Sequence, residues 1–274
     1  MKIKPLISWP GGKTRHLKRL LPYIPTGVGH GYIEAFAGGC AVLLAKEKSW
    51  MEVVNDVNGD LINLYRVAAH HPDELARILS KFPPASREHI AISREILEGR
   101  VGSTDVTRAA HFIHLNKTSF GGSGTSLAVV VNPASRAFMG TDALIDRIKA
   151  FHARFDTVVI ERQSYERILA TYDHPRNLFF LDPPYGVSNV KNYAGWGEED
   201  LTEFRDRVVN LKGSWIVTLD DSPLNRELWK GHDIDFHVTR NGSGNQRLDS
   251  SRTFGEMFIY SPTLRSASGA LKAA

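Results

Sequence analysis

The stretch YIEAFAGGCAVLLAKEKSWMEVVND, residues 32–56, decides the fold of this chain. Its pattern predicts a strand, a glycine turn, a helix and a second strand, in that order, over Tyr32–Phe36, Gly38-Gly39, Ala41–Lys48 and Met51–Asn55. A strand that enters a helix through glycines and is followed by another strand is the repeating unit of a parallel sheet covered by helices. The chain therefore begins as an α/β domain.

Outside this stretch, short β-rich runs continue to alternate with amphipathic ones. Helices are predicted over Gly59–His70 and Glu198–Leu211. Further strands are predicted over Thr157–Glu161, Asn177–Leu181, Trp215–Leu219, Asp235–Thr239 and Glu256–Tyr260. We expect the last two of these strands to form an antiparallel pair.

Residues 71–149 have a different character. They carry helical patterns over Arg87–Glu98 and Asp105–Asn116 and then a glycine-rich run, with a possible strand only at Leu127–Val131. We interpret this segment as a mainly helical lobe inserted into a core formed by residues 1–70 and 150–265. The small, polar residues 266–274 are expected to form a disordered tail.

Composition excludes several classes of protein. The chain has 274 residues, 42% of them hydrophobic and 23% charged, which is enough to bury a core without covalent cross-links. Its single cysteine, Cys40, excludes an internal disulfide and a CxxC zinc site. No apolar run is long enough for a membrane span or a signal segment, so we expect a cytoplasmic protein without membrane contact. The net charge of +4 permits nucleic-acid binding without demonstrating it.

The strongest chemical signal is Asp182-Pro183-Pro184-Tyr185, directly after the predicted strand Asn177–Leu181. Each proline fixes φ and lacks an N–H, so the chain leaves the strand as a stiff, non-helical loop. Such a loop presents a carboxylate, an uncommitted carbonyl and an aromatic ring in a fixed relation. It also stands at the carboxyl end of a strand, where open α/β sheets bind their ligands.

Two further segments suggest a nucleoside cofactor. Asp56 lies eighteen residues after Gly38, the spacing of the acidic residue that binds ribose hydroxyls in such folds. The dinucleotide pattern G-x-G-x-x-G is absent, which disfavours an NAD site. The stretch WPGGKT, residues 9–14, ends like a phosphate-binding loop but has Ile7 where the first glycine belongs. It remains suited to an anionic or carboxylate-bearing ligand at a helix start.

Taken together, four motifs resemble the D12 class of adenine-specific DNA methyltransferases, which includes the Dam methylases. They are a W-x-G-G-K segment, an E-x-F-x-G-G turn, an N-D-x-N segment and a D-P-P-Y loop, found here at Trp9–Lys13, Glu34–Gly39, Asn55–Asn58 and Asp182–Tyr185. The resemblance covers most of residues 5–260. It implies a Rossmann-like core that uses S-adenosylmethionine, with the inserted lobe recognising double-stranded DNA.

The resemblance also implies roles for individual residues. Asp182 and the Pro183 carbonyl are expected to accept hydrogen bonds from the exocyclic amine of a flipped-out adenine, while Tyr185 stacks on the base. The expected cofactor pocket consists of Trp9, Lys13, Glu34, Phe36, Gly38, Gly39, Asp56 and Asp182. The candidates for DNA contact are Lys117, Thr118, Ser119, Arg136, Arg240, Asn245 and Arg247.

Some features depart from the family pattern or leave alternatives open. Residues 122–126 lack the Arg and the Asn or Tyr that Dam-type members carry, so GATC specificity does not follow, and Asp220-Asp221 replaces a frequent Ser-Asn. Methylation of cytosine N4 needs the same amine geometry, although that group commonly has Ser in place of Asp182. Methylation of RNA or of a protein amide, usually with Asn there, and a non-catalytic DNA-binding regulator are further alternatives. His111 and His114 share one face of a predicted helix, but without a third ligand we expect no metal site.

Overall fold

The computed structural model describes residues 3–25, 27–83, 86–119, 141–185, 196–240 and 253–264. The strands are β1 (Gly27–Glu34), β2 (Ser49–Asn55), β3 (Val158–Glu161), β4 (Asn177–Leu181), β5 (Ser214–Asp220), β6 (Asp233–Arg240) and β7 (Thr253–Tyr260). The α-helices are α1 (Leu17–Leu20), α2 (Ala41–Ala45), α3 (Gly59–His70), α4 (Pro72–Leu79), α5 (Arg87–Leu97), α6 (Asp105–Thr118), α7 (Thr141–Phe155), α8 (Tyr165–Tyr172), α9 (Glu198–Val209) and α10 (Pro223–Leu228). Short 3₁₀ helices cover Lys13–Arg15 and Leu21–Tyr23.

The seven strands form a mixed sheet in the order β3-β2-β1-β4-β5-β7-β6. Strand β1 runs parallel to β2 and β4, and β4 runs parallel to β5, whereas β7 is antiparallel to both β5 and β6. Glu34 aligns with Val54 of β2 and with Phe180 of β4. The carboxyl ends of these three strands therefore lie along one edge of the sheet, where a ligand is expected.

By its internal contacts the chain divides into two compact units. The first consists of Met1–Lys18, Gly38–Glu47 and Asp56–Arg162, and the second of Arg19–Ala37, Lys48–Asn55 and Gln163–Ala274. The predicted lobe, residues 71–149, falls inside the first unit, which also includes the glycine turn. The exact limits of a DNA-recognition lobe stay a prediction.

The first unit is built mainly from helices α3 to α7. Helix α3 begins where the Asn58 side chain accepts hydrogen bonds from the backbone N–H groups of Asp60 and Leu61, at 3.1 and 3.0 Å. Its Tyr65 ring stacks on Phe151 of α7, with centroids 5.4 Å apart. Among the described residues, no helix combines the length and apolar character that crossing a membrane requires.

The second unit is centred on the apolar side chains of β4 and β5. All five residues of β4 are buried, because a central parallel strand is covered on both faces and so forms a continuous apolar run. Phe179 and Leu181 pack in one cluster with Trp215 and Val217 of β5 and with Phe204 of α9. This core holds the end of β4, and with it the start of the loop at Asp182, in a fixed place.

The structure confirms the α/β class, the parallel pairs and the final antiparallel pair. Strand β4 and helix α3 have the predicted bounds. Helix α2 ends at Ala45, three residues earlier than expected, because Lys46 adopts an extended backbone. Helices α1, α4, α8 and α10 were not predicted, since each is short, with four to eight residues, and the fifteen-residue α7 was not predicted either. The possible strand Leu127–Val131 lies outside the described residues.

Candidate active site

The glycine turn belongs to the first unit and is shaped by Trp9. Gly38 has a φ of +45°, a conformation that side chains disfavour. A Cβ atom added at Gly38 would lie only 2.8 Å from Cδ1 of Trp9, and one at Gly39 would lie 3.4 Å from the Trp9 Cβ. The two glycines therefore let the indole pack directly on the backbone, which explains why the two motifs occur together.

Hydrogen bonds hold this turn from both sides. The Gly38 N–H donates to Asp56 Oδ2 at 3.0 Å, and the Tyr65 hydroxyl donates to the Gly38 carbonyl. The other Asp56 oxygen, Oδ1, accepts from the Asn58 N–H at 2.9 Å. Asp56 is only 3% exposed. Asp56, the predicted acceptor for ribose hydroxyls, therefore also has a structural role, because its carboxylate joins the glycine turn to the residue that caps α3.

Lys13 and Cys40 also belong to the first unit. The Gly12 N–H donates to the Trp9 carbonyl at 3.1 Å and closes a turn. Lys13 follows this turn with its side chain buried and its Nζ donating to the Gly11 carbonyl at 2.8 Å. Cys40, beside the glycines, has a φ of +52°, a strained backbone conformation of the kind that gathers at functional sites.

Glu34 is the last residue of β1, and Phe36 follows it by two residues, both in the second unit. Glu34 is buried and its Oε1 accepts a hydrogen bond from the Tyr32 hydroxyl at 2.8 Å. The half-buried Phe36 ring contacts Tyr165 and Trp196 with centroid distances of 5.5 and 5.6 Å. Phe36 is therefore part of a cluster of aromatic rings. The motifs do not include Tyr165 and Trp196, because these residues come from distant segments of the chain.

Asp182 and Tyr185 are tied to the strands beside their loop. Thr218 of β5 donates its Oγ1 proton to Asp182 Oδ1 at 2.5 Å. The Tyr185 hydroxyl donates to Glu256 Oε1 of β7 at 3.1 Å and lies 3.5 Å from Asp182 Oδ1. We call these four residues, Asp182, Tyr185, Thr218 and Glu256, the Asp182 cluster.

Burial raises the pKa of Tyr185 well above its ordinary value, and the nearby carboxylates of Asp182, Glu256 and Asp220 raise it further. The hydroxyl therefore keeps its proton at neutral pH and acts as a hydrogen-bond donor. A neutral tyrosine ring beside carboxylate and carbonyl acceptors is a surface suited to an aromatic amine.

The acidic pair at the end of β5 has structural partners. The Asn225 side chain donates to the carbonyl and to Oδ1 of Asp220, at 3.0 and 2.9 Å. Asp221 forms an ion pair with Arg226, with its Oδ1 2.5 Å from the guanidinium Nε. This bond lowers the pKa of Asp221. The departure at Asp220-Asp221 thus anchors α10 to the end of the strand.

Comparison with known proteins identifies the family. The model of the D12 class of N6 adenine-specific DNA methyltransferases matches residues 9–238. The Retron Ec67 DNA adenine methylase of Escherichia coli is 33% identical over 82% of this chain and 80% of its own. The type II methyltransferase M.CviBI of Paramecium bursaria Chlorella virus NC1A is 28% identical over 84% and 88%. The type II methyltransferase M1.LlaDCHI of Lactococcus lactis subsp. cremoris is 26% identical over 93% and 90%.

The chain belongs to the D12 class of N6 adenine-specific DNA methyltransferases. This confirms the expected family, the enzyme class and the Rossmann-like fold, and it favours adenine N6 over the alternative of cytosine N4. A methyltransferase of this class requires a methyl donor and a DNA substrate. The roles of individual residues stay predictions.

Two of the predicted DNA contacts of the methyltransferase, Thr118 and Ser119, lie at the C-terminal end of α6. The Thr118 and Ser119 hydroxyls donate to the carbonyls of His114 and Asn116, at 2.7 and 3.2 Å, and both residues are buried. Burial lowers the pKa of Lys117 to about 8, with a further contribution from the charge of Arg147. Arg136, Asn245, Arg247 and the Arg240 side chain lie outside the described residues.

His111 and His114 do share one face of α6, and His89 of α5 joins them. The rings of His89 and His111 stack at 5.1 Å, and Ser93 Oγ lies 2.9 Å from His111 Nδ1. Phe82 covers all three imidazoles at 4.3 to 5.6 Å. We call these residues the His114 cluster. In the part of the chain that the structure describes, no group of three His, Cys, Asp or Glu side chains is arranged to hold a metal ion.

Proposed function

We propose that the protein transfers the methyl group of S-adenosylmethionine to the exocyclic N6 of an adenine flipped out of double-stranded DNA. The observation that carries this proposal is the Asp182–Tyr185 loop at the end of β4, whose carboxylate is held by Thr218 of β5 and whose aromatic hydroxyl is held by Glu256 of β7. Since the substrate is DNA, we place the enzyme in the cytoplasm of a bacterium or of a phage-infected host.

The donor set of the chain fits the proposed cofactor. The buried Lys13 supplies a cation for a carboxylate group, and Asp56 supplies an acceptor for ribose hydroxyls. Gly38 lets the indole of Trp9, another residue of the proposed pocket, pack on the turn, because a Cβ atom at Gly38 would lie 2.8 Å from Trp9 Cδ1. When bound, S-adenosylmethionine supplies a methyl group on a positively charged sulfur. We assign the remaining pocket residues to the same site: Glu34, Phe36, Gly39 and Asp182.

Asp182, Pro183 and Tyr185 act on the adenine. An exocyclic amine is a weak nucleophile because its lone pair is conjugated with the ring. By accepting hydrogen bonds from the two N–H groups, the Asp182 carboxylate and the Pro183 carbonyl hold the nitrogen in a geometry that frees the lone pair. Tyr185 stacks on the base and recovers about 1–3 kcal/mol of the cost of flipping it. Catalysis is then largely a matter of positioning.

We expect contacts to DNA to offset the rest of the free energy that flipping the base requires. We assign Lys117 to them, since a phosphate beside it favours its charged form. Our further candidates are Thr118, Ser119, Arg136, Arg240, Asn245 and Arg247. If Arg240 and Arg247 contact phosphates, neutralising either residue will weaken binding and reduce its salt dependence. An unchanged salt slope removes both residues from the interface.

The decisive experiment identifies the product. The purified protein is incubated with mixed-sequence DNA and S-adenosylmethionine labelled in the methyl group, and the nucleosides are separated after digestion. We expect label in N6-methyladenine, whereas label in N4-methylcytosine would refute the proposal. Calorimetry of cofactor binding to Asp56→Ala and Trp9→Ala tests the pocket separately. Unchanged affinity in both variants would show that the pocket lies elsewhere.

A further inference from the structure

The carboxylate of Asp182 is oriented by a residue that no motif includes. Thr218 is completely buried in β5 and donates its Oγ1 proton to Asp182 Oδ1 at 2.5 Å. A carboxylate can rotate about its last side-chain bond, and this rotation changes where its lone pairs point. A short hydrogen bond to one named oxygen fixes that rotation.

Glu256 does the same for the aromatic ring of the loop. It is 5% exposed and accepts the Tyr185 hydroxyl proton on Oε1 at 3.1 Å. Because the hydroxyl oxygen lies on the axis that runs from Cβ through the ring, holding it fixes the direction of that axis. The place of the ring against a stacked base depends on that direction.

Strand register explains why both partners are in place. Leu181 aligns with Val217, so Asp182 and Thr218 come one residue later on neighbouring strands. Asp220 aligns with Glu256 across the antiparallel pair of β5 and β7. The loop is therefore held by two interior strands of the sheet, β5 and β7, in addition to the stiffness of its own prolines.

We propose that Thr218 and Glu256 are positioning residues for methyl transfer, Thr218 acting through Asp182 and Glu256 acting through Tyr185. This inference rests on the proposed function. Neither residue needs to touch the adenine, because each fixes a group that does. Partners that orient reacting groups in this way typically contribute about 10- to 100-fold to activity.

The first test is the isosteric change Thr218→Val, which removes the hydroxyl and keeps the shape. We expect kcat for adenine methylation to fall about 10- to 100-fold. Thr218→Ser, which restores a hydroxyl, should recover activity to within about threefold of the wild type. The control is Thr263→Val, the same change at an exposed threonine whose hydroxyl bonds Ser214 at the opposite end of β5. It should leave kcat unchanged.

The second test asks whether Glu256 works through the Tyr185 hydroxyl. Activity is measured for Glu256→Ala, Tyr185→Phe and the double variant. If Glu256 acts through Tyr185, the double variant will be little worse than the poorer single variant, whereas independent roles make the two losses multiply. Multiplied losses overturn this half of the proposal. If Glu256→Ala does not fold, Glu256→Gln, which retains an acceptor oxygen, should keep activity within about threefold, and a larger loss overturns the acceptor role.

These outcomes are separable from failure of the proposed function. If the wild-type protein yields no N6-methyladenine, the function itself is wrong. If the wild type methylates adenine while Thr218→Val equals it in kcat, the function stands and the role of Thr218 is refuted. Equal losses in Thr218→Val and Thr263→Val would mark a general effect on β5 and would also refute that role.

Discussion

Two groups of buried polar side chains in this protein, the His114 cluster and the Asp182 cluster, have different roles. In the His114 cluster, burial lowers the pKa of His111 and His114 to about 4, with the charge of His89 adding to this, so both rings are neutral at pH 7. In the Asp182 cluster, acceptors surround one hydroxyl and burial raises the pKa of Tyr185. The first cluster joins helices α5 and α6, whereas the second joins a loop to two strands.

The difference shows how a packing cluster can be told from a reactive one. The imidazoles pack against one another and against Phe82, so most of their surface is buried within the helical layer. The Asp182 cluster instead fixes a loop that has two prolines and no regular structure of its own. We expect the first cluster to contribute to stability and the second to contribute to catalysis.

The largest effect is expected at Asp182. Asp182→Ala removes a hydrogen-bond acceptor from the amine and should lower kcat about 1000-fold or more, consistent with the loss of a preorganised electrostatic contact. The melting temperature should fall by only a few degrees, because the change leaves the apolar core intact and its cost is about 1–3 kcal/mol for the buried Thr218 hydroxyl that loses its acceptor. Initial rates with labelled cofactor and thermal unfolding are the two measurements. A variant with wild-type activity would show that the Asp182 cluster has no catalytic role.

Phe82 provides the corresponding test of the His114 cluster. Phe82→Ala removes the ring that covers three imidazoles and should lower the free energy of unfolding by about 2–3 kcal/mol. Because this cluster is assigned to packing, kcat at a temperature where the variant is folded should stay within about threefold of the wild type. Denaturant unfolding and steady-state kinetics check this, and a large loss of kcat without loss of stability contradicts the division between the clusters.

The sequence predicts the elements that carry the two clusters better than it predicts the contacts within them. Local patterns predicted α3, β4 and the glycine turn, because the residues that indicate each of these elements lie within a dozen positions of one another. Thr218 and Glu256 are 36 and 71 residues from their partners in the loop, and only strand register brings them there. His89 likewise joins His111 through the packing of α5 on α6, which helical periodicity does not reveal.

The pH dependence of the free energy of unfolding tests the His114 cluster. Since the folded-state pKa of His111 and of His114 is about 4 and the ordinary value is 6.5, the unfolded chain binds more protons between these pH values. The free energy of unfolding should therefore fall as the pH drops from about 6.5 to about 4, by roughly 1–3 kcal/mol once partial solvent screening is allowed for.

The control for this titration is His111→Gln, which removes one titrating group from the cluster. The slope of stability against pH in that window should become shallower than in the wild type. An identical slope would show that groups outside the His114 cluster account for the pH dependence.

The smallest effect is expected at Ser93. Its Oγ is buried, 2.8 Å from the His89 carbonyl and 2.9 Å from His111 Nδ1, so it links the two helices that carry the cluster. Ser93→Ala leaves the volume nearly unchanged but removes a buried hydrogen-bonding group from the imidazole, which should cost about 1–2 kcal/mol of unfolding free energy. The measurement is a denaturant titration at pH 7, with kcat expected to be unchanged. If stability did not change, the imidazoles would be held by ring packing alone.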